Sequence, residues 1–158
     1  MTRMGKPNTR ATQKDLADLY RRPGFLLRRA HQISSALFME EVAALGITTT
    51  QFGVLTVLGA REPIDQIGIA RLLKLDRSTT GLVVKNLEER ALIERVIDPE
   101  DRRRRVLGLT AEGRAALERL RTLGKTAHER GLSVFDAEEA RTFVSLLSRF
   151  VEAHDRSE

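Results

Sequence analysis

Two clusters of side chains in this sequence have the chemistry of polyanion recognition. One is Asp76-Arg77-Ser78-Thr79, followed by Gly81, Leu82 and Lys85. The other is the run Arg102-Arg103-Arg104-Arg105. Guanidinium groups bind phosphate oxygens, or the O6 and N7 atoms of guanine, through paired hydrogen bonds. Hydroxyls and helix N-terminal N–H groups fix register on a phosphate backbone. Four adjacent like charges repel one another and are favoured beside phosphate, with a solubilising loop tip as the plain alternative.

Catalytic chemistry has no comparable foothold. The chain has no cysteine, which excludes disulfides, thiolate catalysis and zinc-thiolate sites. Its three histidines, His31, His128 and His154, lie far apart and form no HxxxH pattern. Glu40-Glu41 and Glu88-Glu89 are adjacent pairs, so on a helix they diverge and do not form an acid/base pair. No GxSxG, phosphate-binding loop or GxGxxG occurs. The expectation is a protein that is not an enzyme and uses no metal and no cofactor.

The recognition clusters need elements to hold them. Asp76 caps a helix expected over 76–90, in which Thr80, Val83, Val84 and Leu87 recur at spacings of 3 and 4 and face inward. Asp65 caps a shorter helix to Lys74, with Ile64 and Ile69 as a hydrophobic staple. A tight turn at Leu75-Asp76 joins the two. The period then changes to alternation in Leu92 to Ile97, and Val106 to Leu109 forms a second strand. The hairpin between them is a wing, 98–106, with a basic tip. Asp101 is expected to shape it by pairing with Arg103 or another arginine.

Long helices flank this region. One runs from about Phe25 to Ala44 behind the Pro23-Gly24 break, and Gly46 ends it. A further helix starts at Thr48 to Thr50 and closes at Glu62-Pro63. Thr110 caps a helix of about 111–133, and Asp136 with Glu139 starts the last one. The fold class is mainly α with a small β-hairpin: a winged helix-turn-helix lobe, 47–110, beside a helical dimerisation region, 13–46 and 111–154. Residues 1–12 are expected to form a flexible basic arm.

Composition agrees with this plan. The chain has 158 residues, of which 41% are hydrophobic and 31% charged, so a folded core is expected rather than a disordered tail. The net charge of +5 and pI near 10.2 favour anionic partners. One tyrosine and no tryptophan argue against single-strand binding by base stacking. No apolar run of membrane-spanning length and no apolar leader is visible, so a cytoplasmic location is expected.

At Leu75 to Arg114, LDRSTTGLVVKNLEERALIERVIDPEDRRRRVLGLTAEGR, the sequence resembles the MarR-type regulators. Asp98-Pro99-Glu100-Asp101-Arg102-Arg103 with Leu109-Thr110 looks like that family's wing signature. The resemblance runs from about Phe25 to Phe150. It implies a winged-helix lobe in each subunit and a homodimer joined through the first helix and the last two. It also implies a double-stranded DNA operator and a transcriptional regulator, a repressor by preference. The chain departs from the family at Leu82, where Arg is frequent, at Gly81, and at Ala91, where Gly is usual. Leu82 either meets a thymine methyl or packs, and Gly81 permits close approach to a backbone.

Such proteins often bind small aromatic acids or phenols between the dimer helices and the lobe. Arg28 and His31 share a helix face, with Tyr20 and Arg21 upstream and Phe52 at the start of the next helix. They are the candidate cation, ring donors and apolar wall for a benzoate-like or nicotinate-like effector. A solvated face and a structural histidine are the bland alternative. The competing functional reading is a winged-helix module that docks an acidic protein.

Overall fold

In a computed structural model, residues 9–98 and 100–155 are described, with side chains from 13 onward. Seven helices and one hairpin follow in order: α1 Thr9–Tyr20, α2 Pro23–Glu41, α3 Thr49–Ala60, α4 Gln66–Leu73, α5 Arg77–Glu89, β1 Ile93–Ile97, β2 Arg105–Leu109, α6 Ala111–Leu132 and α7 Ala137–Asp155. The chain is mainly helical with one small sheet, as its periodicities require.

Capping explains most of the boundaries. Thr48 accepts the Gln51 N–H and Gln51 returns a bond to the Thr48 N–H, a reciprocal pair that starts α3. Asp65, Asp76 and Thr110 cap α4, α5 and α6 by accepting the N–H of Gly68, Thr79 and Gly113. Pro23 opens α2 rather than merely interrupting the chain, because its missing N–H is one that a helix start leaves unpaired. Two expectations need correction. The long helix stops at Glu41 and tightens into a 3₁₀ turn, Ala43–Leu45, which Gly46 closes at φ 57°. Helix α1 begins at Thr9, inside the segment read as a flexible arm, and residues 1–8 lie outside the described residues.

A single core joins the lobe to the long helices. Val54, Leu55, Leu58, Ile69, Val84, Leu87, Ile93 and Leu107 meet Phe38 of α2, Val42 just beyond its end, and Leu117 and Leu120 of α6. Each fully buried aliphatic side chain contributes about 1.5–3 kcal/mol of transfer free energy. The hairpin is antiparallel, with Ile93 opposite Leu109 and Ile97 opposite Arg105. The Leu107 N–H also donates to the Ile64 carbonyl at 2.8 Å, tying the wing strand to the entry of α4.

Helix α5 ends in a Schellman motif: the Leu92 N–H bonds the Leu87 carbonyl and the Ala91 N–H bonds that of Glu88. Ala91 therefore sits at φ 54°, a left-handed geometry that costs an L-residue roughly 1–2 kcal/mol. Ala91→Gly is expected to raise unfolding stability by about 1 kcal/mol, after allowance for glycine's larger unfolded-state entropy. Urea titration with an unchanged m-value would establish this; a lower midpoint would mean the turn carries no strain.

Candidate nucleic-acid interface

Helix α5 has two unlike faces. Thr80, Val84 and Leu87 are fully buried, and the Thr80 hydroxyl donates back to the Asp76 carbonyl. Val83, expected inward, is half-buried. Arg77, Ser78, Thr79, Leu82, Lys85 and Asn86 face outward and are exposed. The period that builds the core thus also sets which residues a groove would meet.

The helix start is already supplied with an anion of its own. Asp76 Oδ1 accepts the Thr79 N–H at 2.8 Å, and Oδ2 accepts the Thr79 hydroxyl at 2.6 Å. The Thr79 hydroxyl bond, followed by the backbone bond, holds the Asp76 carboxyl below its ordinary value of 3.8. With its proton given to Asp76, the Thr79 hydroxyl has its oxygen lone pairs left to offer. Lys85 lies 3.8 Å from Glu89 in a solvent-exposed i,i+4 pair, a contact too weak to withhold it from phosphate. Gly81 is half-buried against α4, where an added Cβ would come within 3.2 Å of the Gln66 amide nitrogen. Its small size serves the contact between α4 and α5. Leu82 does not pack within the chain: it is 71% exposed.

The helix-turn-helix corner is also geometric. Lys74 adopts φ 52°, and the Leu75 N–H reaches back to the Ala70 carbonyl at 2.9 Å. At the other end of α5, the Arg90 guanidinium donates to the carbonyls of Leu45 and Gly46 at 2.7 and 2.8 Å. The Gln51 amide donates to Asn86 Oδ1 at 2.7 Å. The recognition helix is thereby held near its C-terminal end by the turn that leads out of α2 and by Gln51 of α3.

The wing is organised differently from the sequence expectation. Asp101 accepts the backbone N–H of Arg103 at 2.9 Å, and the arginine that anchors the wing is Arg104. Its guanidinium donates to Asp65 Oδ2 at 2.5 Å and lies 3.7 Å from Asp98 Oδ2. Asp98 is buried and also accepts the Glu100 N–H. Arg104 thus faces back toward α4, leaving Arg102, Arg103 and Arg105 exposed. Asp65 serves as helix cap and wing anchor at once. The Arg104 hydrogen bond, then the Gly68 N–H, keep its carboxyl below 3.8 against the opposing effect of desolvation. With its folded pKa depressed, Asp65 adds stability that is present above 3.8 and fades as pH falls below it. Both partners are partly exposed, so solvent screens the pair and its role is to aim the wing.

The effector candidates are not gathered into one cavity by a single chain. Tyr20 packs on Phe25 at 5.2 Å between ring centroids, and the Arg28 guanidinium lies 5.0 Å over the Phe25 ring. Arg21 and His31 are exposed, and Phe52 stacks on Phe38 at 5.3 Å, half-buried. A cleft that sequence reasoning missed, about 910 Å³, opens between α4 and the start of α5. Gln66, Arg71, Lys74, Arg77, Thr80 and Asp155 border it. Its one sequence signal was the basic pair Lys74 and Arg77 on either side of the turn. No helix among the described residues is long and apolar enough to cross a membrane.

Known proteins share this arrangement. The sequence model of the MarR family matches residues 47–104, from the entry of α3 through the wing. The transcriptional repressor NicR of Pseudomonas putida is 25% identical over 157 residues, covering 99% of each chain. The structure of BpsR of Bordetella bronchiseptica, concerned with regulation of its DNA binding by 6-hydroxynicotinic acid, superposes with a TM-score of 0.77. Its identity is 27%, over 84% of this chain and 94% of that one. A transcriptional repressor, CouR, bound to a 23-mer DNA duplex superposes with a TM-score of 0.78. Here the identity is 32%, over 85% of this chain and 95% of that one.

Proposed function

Since this chain belongs to the MarR family of winged-helix transcriptional regulators, we propose that it acts as a homodimeric repressor whose duplex operator is released by a small aromatic acid. Each copy lays α5 in a major groove and sets its wing over the adjacent minor groove. Two copies related by a two-fold axis require a pseudo-palindrome with half-sites about 34–36 Å apart. The protein works in the cytoplasm, where its operator is. The observation that carries this reading is the outward face of α5, where exposed Arg77, Ser78, Thr79 and Lys85 stand beside the free wing cations Arg102, Arg103 and Arg105.

The dimer reading is supported by an apolar surface that none of the described residues covers. Helix α7 has no buried residue, yet Phe143, Val144, Leu147, Phe150 and Val151 line it. Leu16, Leu19, Leu26 and Leu27 are likewise exposed on α1 and α2. Burial of such a surface against a second copy would satisfy both. For the effector, Arg28 beside the Tyr20–Phe25 ring pair offers a cation next to aromatic walls, with Arg21, His31 and Phe52 completing the set once lobes from two copies meet. The regulation of BpsR DNA binding by 6-hydroxynicotinic acid supports a nicotinate-like ligand class. The ligand would favour a lobe spacing that no longer matches the two half-sites.

Binding to duplexes from the region upstream of the protein's own gene, titrated at several salt concentrations, tests the operator reading. Affinity is expected to fall steeply with salt. Arg103→Ala should weaken all duplexes alike and lower the salt slope by about one. Arg77→Ala should instead change which sequences are preferred. Binding that is indifferent to both salt and sequence would overturn the proposal.

A further inference from the structure

We infer that Leu82 reads a thymine in each half-site through the C5-methyl group, which makes it a specificity-determining residue of this regulator. The inference rests on the operator reading above and goes one step into it. Leu82 is 71% exposed, whereas Thr80 and Val84, two positions to either side, are fully buried. Two residues correspond to about 200° around a helix, so Leu82 points almost directly away from the core. Its neighbours one turn away are Ser78, Thr79, Lys85 and Asn86, all polar and exposed. An isobutyl group therefore stands alone in the middle of a polar recognition face.

Isolated exposed leucines are ordinary on protein surfaces, so exposure alone decides nothing. Position decides it. The middle of a recognition helix is the part that lies deepest over the base edges. In the major groove each base pair presents donors and acceptors, and the thymine methyl is the one apolar group among them. Leucine offers no hydrogen bond. Set over guanine, adenine or cytosine, it would displace water from polar atoms and return nothing. Set over thymine, it buries a methyl group against a methyl group.

The test uses the full chain and a duplex selected from a random pool by the wild-type protein. Each thymine of the selected duplex is replaced in turn by deoxyuridine, which removes the methyl and nothing else. In each half-site one replacement is expected to weaken wild-type binding about three- to fivefold, the equivalent of one methyl returned to water. Leu82→Ala should still bind the thymine duplex, but with that sensitivity lost and the salt slope unchanged. Wild-type binding indifferent to every replacement overturns the inference, and so does an equal penalty in Leu82→Ala. If the pool yields no preferred duplex, the operator reading falls first and takes this one with it.

Discussion

Phe143→Glu combined with Leu147→Glu is expected to yield a folded monomer that has lost at least a hundredfold in operator affinity. The two positions are one helical turn apart on α7 and both are exposed in the single chain, so the substitutions remove no buried core side chain, although Phe143→Glu gives up the ring stack on Phe135 at 5.2 Å. What they remove is the reason for a second copy to dock: two carboxylates on each side of a two-fold interface face their own symmetry mates without a partner. The affinity loss follows from linkage. A dimer holding one half-site presents its second lobe at high effective concentration, and such bivalency multiplies affinity by about 10²–10⁴. Sedimentation would read the oligomeric state, circular dichroism the fold, and a gel shift the operator. A double variant that stays dimeric would refute the assignment of α7 to the interface. One that becomes monomeric yet binds as tightly as wild type would refute the two-half-site geometry.

Gly113→Ala is expected to cost about 3 kcal/mol of stability and to remove DNA binding with it. Gly113 lies in the first turn of α6, pressed against the segment that leaves the recognition helix. A Cβ there would stand 1.8 Å from the Leu92 carbonyl oxygen and 2.9 Å from its carbon. These are backbone atoms and cannot swing aside as a side-chain end would. The same carbonyl accepts the Thr110 N–H at 3.2 Å, and the Thr110 hydroxyl donates to the Ala91 carbonyl at 2.7 Å. Moving Leu92 would therefore disturb the α6 cap, the end of α5 and the first strand of the wing together. Gly24→Ala is the control, because a Cβ at that position in α2 meets nothing within 4 Å. Gly24→Ala should be neutral or slightly stabilising in urea titration. Equal midpoints for Gly113→Ala and the wild-type protein would show that the close approach is not maintained in solution.

Much of the site could be read along the chain because it is made of short-range chemistry. The cap at Asp76, the inward spacing of Thr80, Val84 and Leu87, and the alternation of Ile93 to Ile97 act within a few residues of themselves. The cap and the inward residues of α5 were found where their period placed them, and a strand formed over Ile93–Ile97, although Ile93 is its one buried residue and Ile97 is 52% exposed. The wing's outline was legible for the same reason, since a turn-forming Asp98-Pro99 separates two β-rich runs. Errors came where a neighbour in space outranked a neighbour in sequence. From sequence, Asp101 is expected to shape the wing by pairing with Arg103 or another arginine. The geometry of the turn spends Asp101 on a backbone N–H instead and sends Arg104 to Asp65, 39 positions away.

The order of helices, the hairpin, the basic tip and the absence of a nucleophile with its base are consequences of residue type and local spacing, and these the chain specifies without knowledge of its packing. Packing alone settles the rest: that Leu82 has nothing to cover it, that Arg104 is an anchor while Arg103 is free, that Gly113 admits no side chain, and that α7 leaves its apolar stripe bare. The reason is the range of the forces. Caps and periodic burial act across three or four residues, whereas exposure, ion pairing and close backbone approach depend on which distant segments the core has brought together.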